Sequence, residues 1–125
     1  QQYISNIVAE IDICMTSRFE FGHFIVLSLG GLFAAEEHWK AILLPRSDAQ
    51  VRAVLIHLLD RHLKQNAIPG NDIEEILMVI NRIIALGVAA SDIVRTIEID
   101  PLVVSRGKVF AVDAVIEPMG VNIAS

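Results

Sequence analysis

The 125-residue chain lacks most of the features that would assign it to a specialised class. It has one cysteine, Cys14, so no internal disulfide is available, and that usage fits a reducing cytoplasm. It has no run of basic residues. Its ten Lys and Arg and fifteen Asp and Glu are spread along the chain for a net charge of −5, which argues against nucleic acid as a partner. No stretch reaches the ~18 uninterrupted apolar residues of a membrane span. The longest candidate, residues 21–35, is interrupted by His23, Ser28 and two glycines. The opening QQYISN has neither a basic region nor an apolar region of a signal peptide, and without an initiator Met it reads as part of a longer protein. Internal repeats and low-complexity segments are absent too.

What is present is apolar patterning. The hydrophobic fraction is 54%, high for a soluble domain, and 125 residues are enough to bury a core. VAEIDICM (8–15) alternates, with Val8, Glu10, Asp12 and Cys14 on one face and Ala9, Ile11, Ile13 and Met15 on the other. Cys14 on such a strand is expected to be a small buried hydrophobe and not a nucleophile. HFIVLSL (23–29) is a continuous apolar run ended by Gly30-Gly31, and WKAILLP (39–45) reads as a third strand closed by Pro45.

The period then changes. Ser47 with Gln50 forms a capping box ahead of Val51, Val54, Leu55, Leu58 and Leu59 at helical spacing. Asn71 with Glu74 repeats that signature before Ile76, Leu77, Ile80, Ile83 and Ile84, and Gly87 is the expected stop. Helices are therefore predicted over 48–63 and 72–86, joined by the loop KQNAIPGN (64–71). The chain returns to strand at TIEIDPLVV (96–104), turns at residues 105–108, and ends in KVFAVDAVIEP (108–118). The fold class is α+β: one domain with a largely antiparallel sheet of about five strands and two helices on one face.

The closing hairpin poses a chemical question. Glu98 and Asp100 lie two residues apart and so project from one face of their strand. A two-residue loop at Arg106-Gly107, or a four-residue loop closed by Val104 and Val109, sets Asp100 directly opposite Asp113. Like charges in that position destabilise a sheet. Two readings stand. The acids can point into water at a sheet edge, or they can surround a divalent cation, since Mg²⁺ takes one or two carboxylates together with phosphate oxygens. Other constellations are weaker. His57 and His62 fall on different faces of a helix, and His38 beside Glu36 and Glu37 falls short of a ligand set.

TIEIDPLVV with KVFAVDAVIEP resembles the closing hairpin of ATP-grasp domains in ADP-forming acyl-CoA synthetases, relatives of the succinyl-CoA synthetase β subunit, where the pattern is approximately E-I-N-P-L-x-V, a turn, then A-V-D-A. FGHFIVLSLGGLF (21–33) is similar to that family's F-G-P-V-x-M-x-G-L-G-G-I-F, and VAEIDICM to the strand before it. The resemblance covers nearly the whole chain, as the C-terminal half of an ATP-grasp fold. It implies that Asp113 and Asp100 bind the Mg²⁺ of ATP, and that Glu98 lies near the phosphoryl group passed between ATP and a histidine. It also implies that Gly30 and Gly31 form a turn close to the nucleotide. The implied partners are ATP/ADP and a CoA-binding, phosphohistidine-bearing domain of the same or another chain; neither nucleic acid nor membrane is among them, and a homo-oligomer is left open.

The chain also departs from that pattern. Asp100 replaces Asn, Ser28 a glycine, and Val115 a basic residue; Ala34-Ala35 replace V-E, unless Glu36 takes over; Trp39 and Leu43 replace an acidic residue and an arginine. The implied function is the Mg-nucleotide side of an ADP-forming acyl-CoA ligase, with the isolated chain expected to be inactive. The departures fit a second function: a non-catalytic ATP-grasp module that serves domain packing or regulates an attached domain.

Overall fold

A computed structural model describes residues 7–18, 22–30, 39–60, 68–105 and 107–120. These form a six-stranded antiparallel sheet, and two helices pack on one of its faces. In chain order the elements are β1 (Ile7–Arg18), β2 (Gly22–Leu29), β3 (Trp39–Leu43), α1 (Asp48–Leu58), α2 (Gly70–Ala89), β4 (Val94–Ser105), β5 (Lys108–Ala111) and β6 (Ala114–Pro118). The sheet runs β3-β2-β1-β4-β5, and β6 pairs with β4 alongside β5. The α+β expectation holds, with one strand more than foreseen. The segment read as a single closing strand is broken at Val112 and Asp113 into β5 and β6.

The alternation in β1 sorts as its pattern dictates. Ala9, Ile11, Ile13 and Met15 are buried in the core with Ile25 and Leu27 of β2 and Ile97 and Ile99 of β4. From the helices come Val51, Leu55 and Leu58 of α1 and Ile76, Ile80 and Ile83 of α2, the two stripes that the sequence marks out. The Ser47 box forms as expected: Gln50 N–H donates to Ser47 Oγ at 3.2 Å, and Ser47 N–H donates to Gln50 Oε1 at 2.9 Å. Arg52 of α1 pairs with Glu74 of α2 on the surface, a contact of small energetic weight.

Helix α2 differs from expectation at both ends. Pro69, not Asn71, occupies its N-cap, without a side-chain cap, so Asn71 is already helical and the second capping box does not form. The first-turn acid Asp72 is instead buried, and its Oδ2 accepts the N–H of Gly107 at 3.1 Å. Gly107 has φ +85°, a conformation that favours glycine, so the β4–β5 turn is pinned to the start of α2.

Nor does Gly87 stop the helix, which continues to Ala89. Gly87 is buried where α2 crosses β1, and a Cβ there would lie 2.5 Å from Met15 Cγ. Glycine is kept for space. Gly87→Ala would gain up to ~1 kcal/mol of helix propensity but force a repacking that costs ~1–3 kcal/mol. Net destabilisation in urea titrations is the expected result, reverting to neutral or better in a Met15→Ala background. A more stable single variant would show that the crossing yields.

Helix α1, predicted to reach residue 63, ends at Leu58 with Leu59 as its C-cap, whose N–H donates to the carbonyls of Leu55 and His57; residues 61–67 lie outside the described residues. Among those described, no helix is long and apolar enough to cross a membrane.

A candidate acidic site on the open sheet face

The face of the sheet turned away from the helices carries the chemistry. Its residues line up in rows set by the strand register. One row runs Trp39, Ser28, Asp12 and then Asp100; the next runs Ala41, Val26, Cys14, Glu98 and Val115; a third runs Leu43, Phe24, Thr16, Thr96 and Glu117. The face is therefore divided, with apolar residues on β2 and β3 and acids on β1, β4 and β6. Trp39 and Leu43, at the positions where the resemblance leads one to expect an acid and an arginine, are 57% and 54% exposed.

The hairpin register is the one that the turn predicts. Ser105 pairs with Lys108 and Val104 with Val109, and the same register continues as Ile99 opposite Ala114 and Glu98 opposite Val115. Asp100 and Asp113 meet at the break between β5 and β6, where Asp100 N–H donates to the Asp113 carbonyl at 3.1 Å. Glu98, Asp100 and Asp113 are all exposed.

On its other side β4 bulges. Ile13 pairs with Ile99 and Ile11 with Leu102, so Asp100 and Pro101 together oppose the single residue Asp12. The extra residue resets the alternation. Ile97 and Ile99 before the bulge and Leu102 and Val104 after it all reach the same core, while Asp100 remains on the open face.

Asp12 is the residue that sequence reasoning did not place in the site. Its Oδ1 is buried without a hydrogen-bond partner. Burial first, then a hydrogen bond donated by the protonated Asp12 carboxyl to Asp100, then the charges of Asp100 and Glu10, push its pKa up to about 6. A cavity of about 130 Å³ opens here, lined by Asp12, Cys14, Ser28, Glu98 and Asp100 among others. Gly30 lies beside Asp12. Its N–H donates to the Glu10 carbonyl at 2.8 Å, and a Cβ at this position would lie 3.4 Å from Asp12 Oδ2. Gly31, the other glycine implied to lie near nucleotide, falls outside the described residues, as do Glu36, His38 and His62.

Cys14 is corrected from a core residue to a half-buried one on the open face. Its Sγ donates to Glu98 Oε1 at 3.7 Å and contacts Thr16 Oγ1 at 3.5 Å. Burial raises the thiol pKa, with the Glu98 charge acting in the same direction, so Cys14 is no activated nucleophile.

For Mg²⁺ the donor chemistry fits. Asp12 has a carboxylate oxygen without a protein partner, Asp100 lies beside it, and Asp113 is joined to Asp100 through the backbone. Among the described residues no group of three His, Cys, Asp or Glu side chains could by itself hold a metal ion. The remaining positions would fall to phosphate oxygens and water, as is usual for this ion.

An antiparallel sheet with helices on one face and a carboxylate-lined hairpin on the other is the arrangement of an ATP-grasp subdomain. The chain belongs to the ATP-grasp domain family, whose profile matches residues 1–117. Among solved structures it is similar to the dinucleotide-forming acetyl-coenzyme A synthetase 1 of Ca. Korarchaeum cryptofilum, in complex with coenzyme A and Mg-AMPPCP. The TM-score is 0.72 at 23% identity, over 89% of this chain and 53% of that one. The apo form of the same enzyme gives 0.68 at 20%, over 89% and 54%. PH1788 from Pyrococcus horikoshii Ot3 gives 0.70 at 21%, over 89% and 48%. The chain thus spans about half the length of these proteins. No curated protein matches it.

Proposed function

We propose that this chain is the C-terminal half of the ATP-grasp domain of a larger ADP-forming acyl-CoA synthetase, and that it supplies the Mg-nucleotide side of the active site. The observation that carries this reading is the register that sets Asp100 against Asp113, with Glu98 one pleat away on the same open face. Asp100 and Asp113 would hold Mg²⁺, which when bound offsets the charge of the nucleotide phosphates. Phosphoryl transfer depends mostly on positioning and charge neutralisation, so an acidic hairpin on a rigid sheet suits it. Glu98, held by Cys14, stands beside the phosphoryl group in transit. The similar synthetase has a phosphohistidine segment that points towards its nucleotide-binding site. By analogy, ATP would phosphorylate a histidine on another domain, and the phosphoryl group would then drive joining of a carboxylic acid to CoA.

The full-length protein, incubated with Mg²⁺ and ATP labelled on the γ-phosphate, should acquire an acid-labile, alkali-stable label on histidine. Carboxylate and CoA together should discharge it. An unlabelled protein would sink the catalytic reading.

The second reading, a non-catalytic module for domain packing or regulation, is favoured by the exposed Trp39 and Leu43 beside the acids. It predicts no label and no Mg²⁺-dependent nucleotide binding, with association between domains left intact.

A further inference from the structure

Glu98 stands at the end of a short chain of side-chain hydrogen bonds that begins on β1. The β1–β4 register sets Cys14 directly opposite it, close to the bulge. Across its other edge stands Val115, which has no side-chain donor. Along its own strand the same face carries Asp100, another acid, and Thr96, whose hydroxyl donates to Glu117 Oε2 at 3.5 Å. Among the described residues Cys14 is the side chain that donates to Glu98. The distance from Sγ to Oε1 is 3.7 Å, a length set by the size of sulfur.

The direction of each bond follows from its chemistry. An ionised carboxylate only accepts, so the single thiol proton of Cys14 is spent on Glu98. Thr16 Oγ1 lies 3.5 Å from the same sulfur, and with that proton spent its hydroxyl is the donor to sulfur. Thr16 is buried, and its β-branched side chain is stiff about χ1, so the chain of bonds starts from a fixed point. Burial raises the Cys14 thiol pKa, which keeps the proton in place for donation. A thiol is a weak donor, but a bond to a charged acceptor is stronger than one between neutral groups.

Building on the reading of Glu98 as the acid beside the phosphoryl group in transit, we infer that Thr16 and Cys14 are positioning residues whose relay fixes the direction of the Glu98 carboxylate. They act through Glu98, and neither the hairpin motif nor the resemblance assigns them any role. With the relay cut, Glu98 keeps its place on β4 and loses its aim. The chemical step should then slow, while nucleotide binding, which the reading gives to Asp100 and Asp113, stays as it was.

The test uses the full-length protein with Mg²⁺ and ATP labelled on the γ-phosphate. Label on histidine is followed through a single turnover at saturating ATP. Cys14→Ala should slow labelling about tenfold, below the ~100-fold that an ångström of misplacement can cost. Mg-ADP affinity by calorimetry should stay within about twofold. Cys14→Ser, whose hydroxyl can both accept and donate at that place, should recover most of the rate. Thr16→Val, which keeps the shape without the donor, should fall between Cys14→Ala and wild type. The infrared S–H stretch gives a readout that needs no turnover. The wild type minus Cys14→Ser difference spectrum should show a hydrogen-bonded thiol, which Glu98→Ala returns towards the free position. Cys14→Ala labelling within about twofold of wild type, no rescue by serine, Thr16→Val at the wild-type rate, or a free thiol in the wild type each overturns the inference and leaves the proposed function standing. Wild-type protein that takes up no label, or Glu98→Ala that labels as fast as wild type, removes the reading beneath it and the inference with it.

Discussion

Asp113→Ala in the full-length protein is expected to lower Mg-nucleotide affinity about a hundredfold, the scale of losing a charge-assisted contact of ~3 kcal/mol. Isothermal calorimetry with Mg-ADP is the direct measurement. Asp113 is exposed, so its removal should leave thermal stability within ~0.5 kcal/mol of wild type. That separation between binding and folding is what makes the variant informative. Asp100→Asn is the instructive companion. It keeps an oxygen that can face the ion while removing a negative charge in contact with Asp12, so nucleotide should still bind and the metal-free protein should become slightly more stable. Unchanged affinity in Asp113→Ala would return the acids to the role of a solvated edge.

Asp72→Ala is expected to produce the largest loss of stability, about 2–3 kcal/mol, because it removes a buried charged acceptor and strands the N–H that it satisfied. Asp72 is only 2% exposed, and Gly107 N–H points at it. For a domain of this size the melting temperature should fall by roughly 4 °C per kcal/mol. Asp72→Asn should cost less, since an amide oxygen can still accept. Hydrogen exchange supplies the local readout: the Gly107 amide should be protected in the wild type and exchange freely in Asp72→Ala. Unaltered protection would mean that the turn holds itself. Because this turn fixes the register of β4 against β5 and β6, the same variant should also loosen Mg-nucleotide binding, although Asp72 is remote in sequence from the acids it helps to align.

The hairpin was legible from sequence because its geometry is local. A tight turn at residues 106–107 fixes which residues oppose each other, and the pairing of Ser105 with Lys108 carries that choice through to Asp100 and Asp113. The helical stripes were legible for a similar reason, since periodicity needs no knowledge of partners. Asp12 was not. Its strand meets β4 only after both helices have been made, with Cys14 and Glu98 separated by 84 positions, and no turn chemistry sets that register. The alternation in β1 put Asp12 on a polar face with Glu10 and Cys14, but only the packed sheet shows which residue faces it. Gly87 and Asn71 were misread because local signals were overridden by contacts. The crossing over Met15 wanted a residue without a side chain, and Asp72 turned inward to meet Gly107.

The bulge at Asp100-Pro101 lies level with the break at Val112-Asp113 on the neighbouring strand. Together they form a seam across this part of the sheet. On one side β4 is laced to β6 and the far end of β1; on the other it is laced to β5 and the near end of β1. Asp100 and Asp113 sit on the seam itself, joined there by the bond from Asp100 N–H to the Asp113 carbonyl. In the proposed site, carboxylates placed there would adjust to an arriving ion or phosphate without dragging a whole strand with them, while each ladder stays in register. A rigid sheet and an adaptable grip are otherwise competing demands, and the seam separates them along a single strand.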